Sequence, residues 1–362
     1  MLRLNIPITI FISFLVLINC YPQQNNSASG NDTLWYKAED LGLFGQGWKD
    51  VESPFDRLPA KAKNMVRKPV WELGHQSAGI YIRFTSNSDR FFVRYTLYNK
   101  GFSMPHMPST GINGVDLYCL MDNKWIFIGN GKPDTSSNAN IIFANKNEAQ
   151  KEYHYILFLP LYNGVKDLKI GISNNSSLKK DSIFESKKPI VFYGTSITQG
   201  GCASRPGNCH TSLLLRHLNW PVINLGFSGN GKMEPEMIQL ISEIDASLYV
   251  IDCHKNMKVE EVKERMEQAI RELRIKHSDT PIMVIEETNI NNIYPSERGI
   301  ITKGIIKKLI KEGFTKLYYL PGNNLLGHDS EGTVDTIHPN DLGFSRFAVE
   351  IEKFIKQNKI LK

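Results

Sequence analysis

The chain has 362 residues, long enough for two domains, with 41% hydrophobic and 22% charged residues, an ordinary globular balance. Its net charge of +6 is spread along the chain, and pairs such as Lys307-Lys308 alternate with apolar residues. That pattern is a solvated helix face, and it excludes a basic stripe for nucleic acid.

Residues 1–20 stand apart. Arg3 precedes an apolar run from Ile6 to Ile18 that is too short to span a bilayer comfortably, so the segment reads as a secretory signal. The run ends at Leu17-Ile-Asn-Cys20 and resembles a bacterial lipoprotein signal, which makes Cys20 a candidate lipid attachment site and membrane anchor. Plain secretion with cleavage nearby is the alternative, and both readings place the mature protein outside the cytoplasm. Residues 21–33 read as a flexible tail.

Residues 34–173 are dominated by period-two alternation. Strands are expected at Gly79–Thr85, Arg90–Leu97, Val115–Leu120, Lys124–Gly129, Tyr153–Leu159 and Val165–Ile172, without an intervening amphipathic helix. Short strands with regular turn signals predict an antiparallel β-sandwich of the jelly-roll kind. Residues 174–188 are polar and aperiodic and read as a linker.

From residue 189 to 362 the pattern changes to buried apolar runs alternating with helical periodicity. Runs at Pro189–Tyr193, Pro221–Leu225, Ser247–Asp252, Pro281–Ile285 and Lys316–Leu320 predict five parallel strands covered on both faces. Helices are expected at His210–Leu218, from Val259 to Leu273, from Gly299 to Glu312 and around Phe344–Ile355.

The first of these strands runs into Gly194-Thr-Ser-Ile-Thr-Gln-Gly200, a glycine turn at the carboxyl edge where open α/β sheets bind ligands. Ser196 is the exposed hydroxyl there, a nucleophile if a base accompanies it. The best base is His338 in Asp335-Thr-Ile-His-Pro339, where a carboxylate three residues earlier can curl back to one ring nitrogen. A surface His-Pro turn capped by Asp335 is the competing reading. Amide donors for an oxyanion are available in Gly226-Phe-Ser-Gly-Asn-Gly231 and Asp252-Cys-His-Lys-Asn-Met257, through Gly229 and Asn256, and His254 is placed to line the same site. The other histidines, His75 and His106 among them, lack an acid so placed. Cys119, Cys202, Cys209 and Cys253 match no zinc spacing, and their pairing is open.

Together Ser196, Gly229, Asn256 and Asp335/His338 resemble, in order, the four blocks of SGNH (GDSL-like) hydrolases. Thr195 replaces the aspartate of G-D-S-L, and Met257 follows the asparagine of the third block. Gly114-Val-Asp-Leu-Tyr118 matches the G-x-D-L-Y motif of a two-domain SGNH subgroup with an N-terminal β domain. The resemblance implies a flavodoxin-like three-layer hydrolase with Ser196 as nucleophile, His338 as base and Asp335 as its orienter. Ser196, Gly229 and Asn256 would form the oxyanion hole, with no metal or organic cofactor. It further implies an extracytoplasmic serine esterase acting on O-acyl, chiefly O-acetyl, groups of carbohydrate. The Gly101–Pro108 loop would shape the cleft or pack between domains. A lipase or thioesterase for longer acyl chains, and an inert glycan-binding surface lipoprotein, are the alternatives.

Overall fold

The computed structural model describes residues 32–361, except 102, 132–136, 145–150, 182, 183, 185, 289 and 292. The expected signal with Cys20, and the tail as far as residue 31, lie outside the described residues. Residues Thr33–Lys362 form one compact unit. Among the described residues, no helix is long and apolar enough to cross a membrane.

In the first half, the elements are β1 (Thr33–Lys37), α1 (Ala38–Leu41), β2 (Leu43–Phe44), α2 (Lys68–Gly74), β3 (Tyr81–Ser86), β4 (Arg90–Leu97) and α3 (Ser109–Ile112). There follow β5 (Val115–Met121), β6 (Lys124–Gly131), β7 (Ser137–Ala144), β8 (Tyr153–Phe158), β9 (Val165–Ser173) and β10 (Leu178–Lys180). One antiparallel sheet runs β1-β9-β4-β7 and the other β10-β3-β8-β5-β6, with β2 beside β3. Alternation builds the layer between them. Phe91, Val93, Tyr95 and Leu97 of β4 turn inward while Arg90 and Arg94 face solvent. Tyr155 of β8 meets Phe91 across the sandwich at 4.6 Å between ring centroids. The expected strands appear within two residues of their limits. The structure adds β1, β2, β7 and β10, and β10 falls inside the expected linker. It also adds the short helices, of which α2 carries proline in its first turn, where a missing N–H costs nothing. Elements this short give no readable period.

The second half comprises β11 (Ile190–Gly194), α4 (Ser196–Gln199), α5 (His210–Leu218), β12 (Val222–Gly226), α6 (Pro235–Ile241), β13 (Leu248–Asp252), α7 (Val259–Lys276), β14 (Ile282–Ile285), α8 (Glu297–Lys311), β15 (Leu317–Leu320) and α9 (Asp341–Gln357). All five strands are parallel in the order β12-β11-β13-β14-β15, the flavodoxin-like arrangement. The first three are buried at every position, as continuous apolar runs require. Helices α4 and α6 were not expected.

Both faces of this sheet share cores with the first half. Trp48, Leu58 and Trp71 pack with Tyr193, Ile223 and Ile241 on one face. Tyr81, Tyr118 and Phe158 pack with Phe192, Leu215 and Val250 on the other. The G-x-D-L-Y stretch lies in the second contact. Buried Asp116 accepts from Arg205 Nη1 at 2.9 Å and from Gly207 N at 2.8 Å, and the Tyr118 hydroxyl also meets Arg205. The Arg216 guanidinium covers the Tyr118 ring at 4.0 Å. Burial pushes the Asp116 carboxyl up to about 6 against the pull of Arg205 and the Gly207 N–H, which leaves it ionised at neutral pH.

Beneath the carboxyl edge lies a polar knot. Arg57, 1% exposed, donates to the carbonyls of Leu73, Gln76, Asn224 and Gly226. Asn224 in turn donates to Thr198 O at 2.7 Å and Thr211 Oγ1 at 3.0 Å, and Thr198 Oγ1 donates to Asp252 Oδ2 at 2.7 Å.

Two predictions follow from these buried groups. Asp116→Ala strands Arg205 and the Gly207 N–H, costs about 2 kcal/mol and lowers Tm by roughly 4 °C, while Asp167→Ala on the surface leaves Tm unchanged. An equal Tm for both variants defeats that assignment. Burial pushes the Asp252 carboxyl up to about 7. A carboxyl raised in this way contributes stability at low pH that is lost as pH rises through that value. In thermal melts the stability of Asp252→Asn relative to the parent should therefore rise from about pH 4 to about pH 7 and stay constant above that; a gap independent of pH would contradict the reading.

Candidate active site

The turn that carries Ser196 is built by close packing. A Cβ on Gly194 would collide with Thr198 Oγ1, and one on Gly226 with Gln199 N, so α4 lies directly on the ends of β11 and β12. Thr195 caps α4 through its side chain, which accepts from Ile197 N, and Gly200 ends it at φ 110°. Ser196 is thus the first residue of a helical turn and 8% exposed, more enclosed than a bare loop hydroxyl. Tyr162 from the first half donates to Ser196 O at 3.2 Å.

His338 sits between β15 and α9. Its carbonyl accepts from Val334 N at 2.9 Å, Pro339 bridges to Thr333, and Asn340 caps α9 through Gly343 N. Asp335 curls back as its spacing predicts. Its Oδ1 accepts from Ile337 N and His338 N at 3.1 and 2.7 Å, while its Oδ2 lies 2.7 Å from His338 Nδ1. Burial opposes ionisation of this carboxyl, but those N–H donors and the imidazole outweigh it and hold its pKa below the ordinary value. The carboxylate keeps the ring proton on Nδ1, so Nε2 accepts from Ser196 Oγ at 2.9 Å. Serine, imidazole and carboxylate therefore form one unbroken hydrogen-bonded chain.

Gly229 lies on the turn after β12, and Asn256, from the turn after β13, reaches that turn with its side chain. Gly229 has φ 69°, a conformation suited to glycine, and the space where a Cβ would project is open. Asn256 lies against the same turn, and its amide fits best with Oδ1 accepting from Asn230 N and Gly231 N at 3.1 and 3.2 Å. Ser228 N donates to Gln199 Oε1, tying the turn to α4. His254 does not line the site. It is fully buried, with Nε2 2.9 Å from Thr302 Oγ1 and Nδ1 3.1 Å from Glu287 Oε2.

Two histidines passed over in the sequence stand near the site. His106, on the Gly101–Pro108 loop, has its ring centroid 5.7 Å from that of His338. His75 lies 2.9 Å from Asp56, stacks on Tyr98 at 5.3 Å and has its pKa raised, chiefly by the Asp56 hydrogen bond. No local spacing links His106 to His338, and Asp56 lies too far back in the chain from His75 to be read as its partner. A cleft of about 780 Å³ joins His75, Trp71, Tyr98 and Met104 to Tyr162, Ser228 and Asn230. Another of about 730 Å³, lined by Lys188, Ser247, Pro281 and Lys316, lies at the amino ends of the strands, away from Ser196. Cys119, Cys202, Cys209 and Cys253 are buried free thiols. Burial and the Asp335 charge push the Cys202 thiol up to about 12.

Comparison with known proteins agrees with this architecture. Residues 187–356 match the GDSL-like Lipase/Acylhydrolase family, and residues 33–178 match the GxDLY domain found at the N-terminus of SGNH-type esterases. A Bacteroides ovatus protein described as a GDSL-like lipase is 32% identical, aligned over 91% of this chain and 99% of its own, with a TM-score of 0.85. A salicylyl-acyltransferase from a tetracycline biosynthetic pathway shares the fold at 18% identity and a TM-score of 0.73, over 92% and 99% of the two chains. A family two carbohydrate esterase from Clostridium thermocellum, in complex with cellohexaose, does so at 13% identity and 0.58, over 78% and 93%. Comparison with curated proteins gave no match. The chain belongs to the GDSL-like (SGNH) hydrolase family, and is an ester-hydrolysing enzyme with that family's GxDLY domain ahead of its α/β domain.

Proposed function

We propose that this enzyme is an extracytoplasmic serine esterase that removes O-acetyl groups from carbohydrate through an acyl-enzyme. The observation that carries the mechanism is the chain from Ser196 Oγ through His338 to Asp335, with bonds of 2.9 and 2.7 Å. Nε2 takes the hydroxyl proton as Oγ attacks the ester carbonyl, and returns it to the departing sugar oxygen. Water then repeats the sequence on the acyl-enzyme and releases acetate. The amides of Ser196 and Gly229 and the side chain of Asn256 would hold the oxyanion.

Close packing around Ser196 favours a short acyl group: a Cβ on Gly201 would lie 2.7 Å from Tyr162 Oη and 3.2 Å from His338 Cδ2. The adjacent cleft offers the rings of Trp71, His75 and Tyr98 beside the amides of Gln76, Asn99 and Asn230, a surface suited to a sugar's apolar face and hydroxyls. Fold likeness to the carbohydrate esterase named above points the same way. The amino-terminal signal, with Cys20 as a lipid anchor, supports action at the cell surface or in the periplasm. In this reading residues 34–173 form the substrate-shaping domain, 174–188 the link and 189–362 the catalytic domain.

Ser196→Ala should abolish p-nitrophenyl acetate turnover with Tm unchanged, and Asp335→Asn should lower kcat by roughly 10³-fold or more. Unchanged turnover in folded Ser196→Ala defeats the mechanism. Among nitrophenyl esters the acetate should exceed the hexanoate in kcat/KM by about tenfold or more, and acetylated polysaccharides should release acetate. Preference for the longer chain would instead favour the lipase reading.

A further inference from the structure

One cluster at the site extends beyond the proposed hydrolytic scheme. His106, Cys202, Asp335 and His338 each offer one ligand atom, and these atoms all lie within 4.8 Å of one another. They arrive from three separate segments: the Gly101–Pro108 loop, the turn after α4 and the loop before α9. Only Asp335 and His338 are needed for the Ser196 relay. A tetrahedral zinc ion holds its nitrogen, oxygen and sulfur ligands at about 2.0–2.3 Å, which separates them by roughly 3.4–3.8 Å. The four atoms therefore stand within a small side-chain adjustment of that geometry. Two imidazoles, a thiol and a carboxylate form a set for zinc or a similar soft divalent ion, whereas calcium and magnesium require oxygen ligands.

We propose that His106, Cys202, Asp335 and His338 form an inhibitory binding site for a soft divalent cation, zinc above all, that switches the esterase off reversibly. Binding forms a metal–thiolate bond at Cys202, and the thiol proton leaves to solvent. His338 uses both ring nitrogens in the relay. A metal on Nε2 takes the lone pair that accepts from the Ser196 hydroxyl, and a metal on Nδ1 sends that nitrogen's proton to Nε2 and ends the hydrogen bond to Asp335, so either coordination breaks the chain. The inhibitory consequence rests on the esterase reading; the metal site itself does not.

The test uses the full-length protein in two independent measurements. Zinc retained after dialysis is counted by atomic absorption without substrate, and nitrophenyl acetate hydrolysis is followed against zinc chloride, with magnesium chloride as control. The expected results are about one zinc per chain, inhibition at micromolar zinc that a chelator reverses, and no effect of magnesium. His106→Ala and Cys202→Ser should keep hydrolysis while raising the zinc concentration for half-inhibition by roughly tenfold or more. Should Cys202→Ser fail to fold, His106→Ala decides alone. The proposal is overturned if the parent retains no zinc, or if folded His106→Ala keeps the parent's zinc sensitivity and stoichiometry. Zinc retention in a chain that hydrolyses no ester would sink the esterase reading and leave the metal site standing.

Discussion

The buried guanidinium of Arg57 is the constraint from which the site's geometry follows. A cation removed from water must find replacements for its lost hydration, and Arg57 finds them in four main-chain carbonyls. Two of those, Asn224 and Gly226, lie in the second half of β12 before the Gly229 loop. The other two, Leu73 and Gln76, belong to the segment that lines the cleft. One side chain thus ties the strand that leads into the Gly229 turn to the cleft wall. Its burial draws the Arg57 pKa down to about 9, so the charge persists at neutral pH. The glycines do the complementary work, since Gly194, Gly226 and Gly231 let three backbone segments approach more closely than any side chain allows.

This explains why residues from the two halves share both cores. The G-x-D-L-Y motif has a structural meaning here: its Asp116 and Tyr118 are anchors for Arg205 and Arg216 on the face of the hydrolase. Arg205 follows Ser204, whose amide and hydroxyl bond Asp341 at the start of α9. The motif therefore supports the segments on either side of Ser196 and His338 without touching the chemistry.

The parallel sheet was legible because a buried strand has only one way to look, an uninterrupted apolar run, and all five appeared within a residue of their expected limits. Asp335 and His338 were legible for a different reason: a three-residue spacing is a local geometric statement. Arg57 with Asn224, His75 with Asp56, and His106 with His338 were not, because their meaning depends on chain crossings that composition does not encode. Strand β10 escaped notice because three residues are too few to display alternation. The fate of the cysteines was equally unreadable. Cys202 and Cys209 flank a short loop and their pairing was open; each is buried as a free thiol.

A proton relay and a soft-metal site impose overlapping demands on the same atoms. Both require a neutral imidazole with an accessible ring nitrogen, an ionised carboxylate within bonding distance, and surroundings that exclude competing water. What separates them is the additional ligands. A serine relay gains nothing from a thiol and a second imidazole near its base, and it would function with aliphatic residues in their place. Here the 101–108 loop brings His106, and the turn after α4 brings Cys202, to within 4.8 Å of the ligand atoms of Asp335 and His338. In the proposed switch, metal binding and ester turnover draw on His338 in opposite directions, because a ring nitrogen given to a metal is lost to the hydrogen-bonded chain from Ser196 to Asp335.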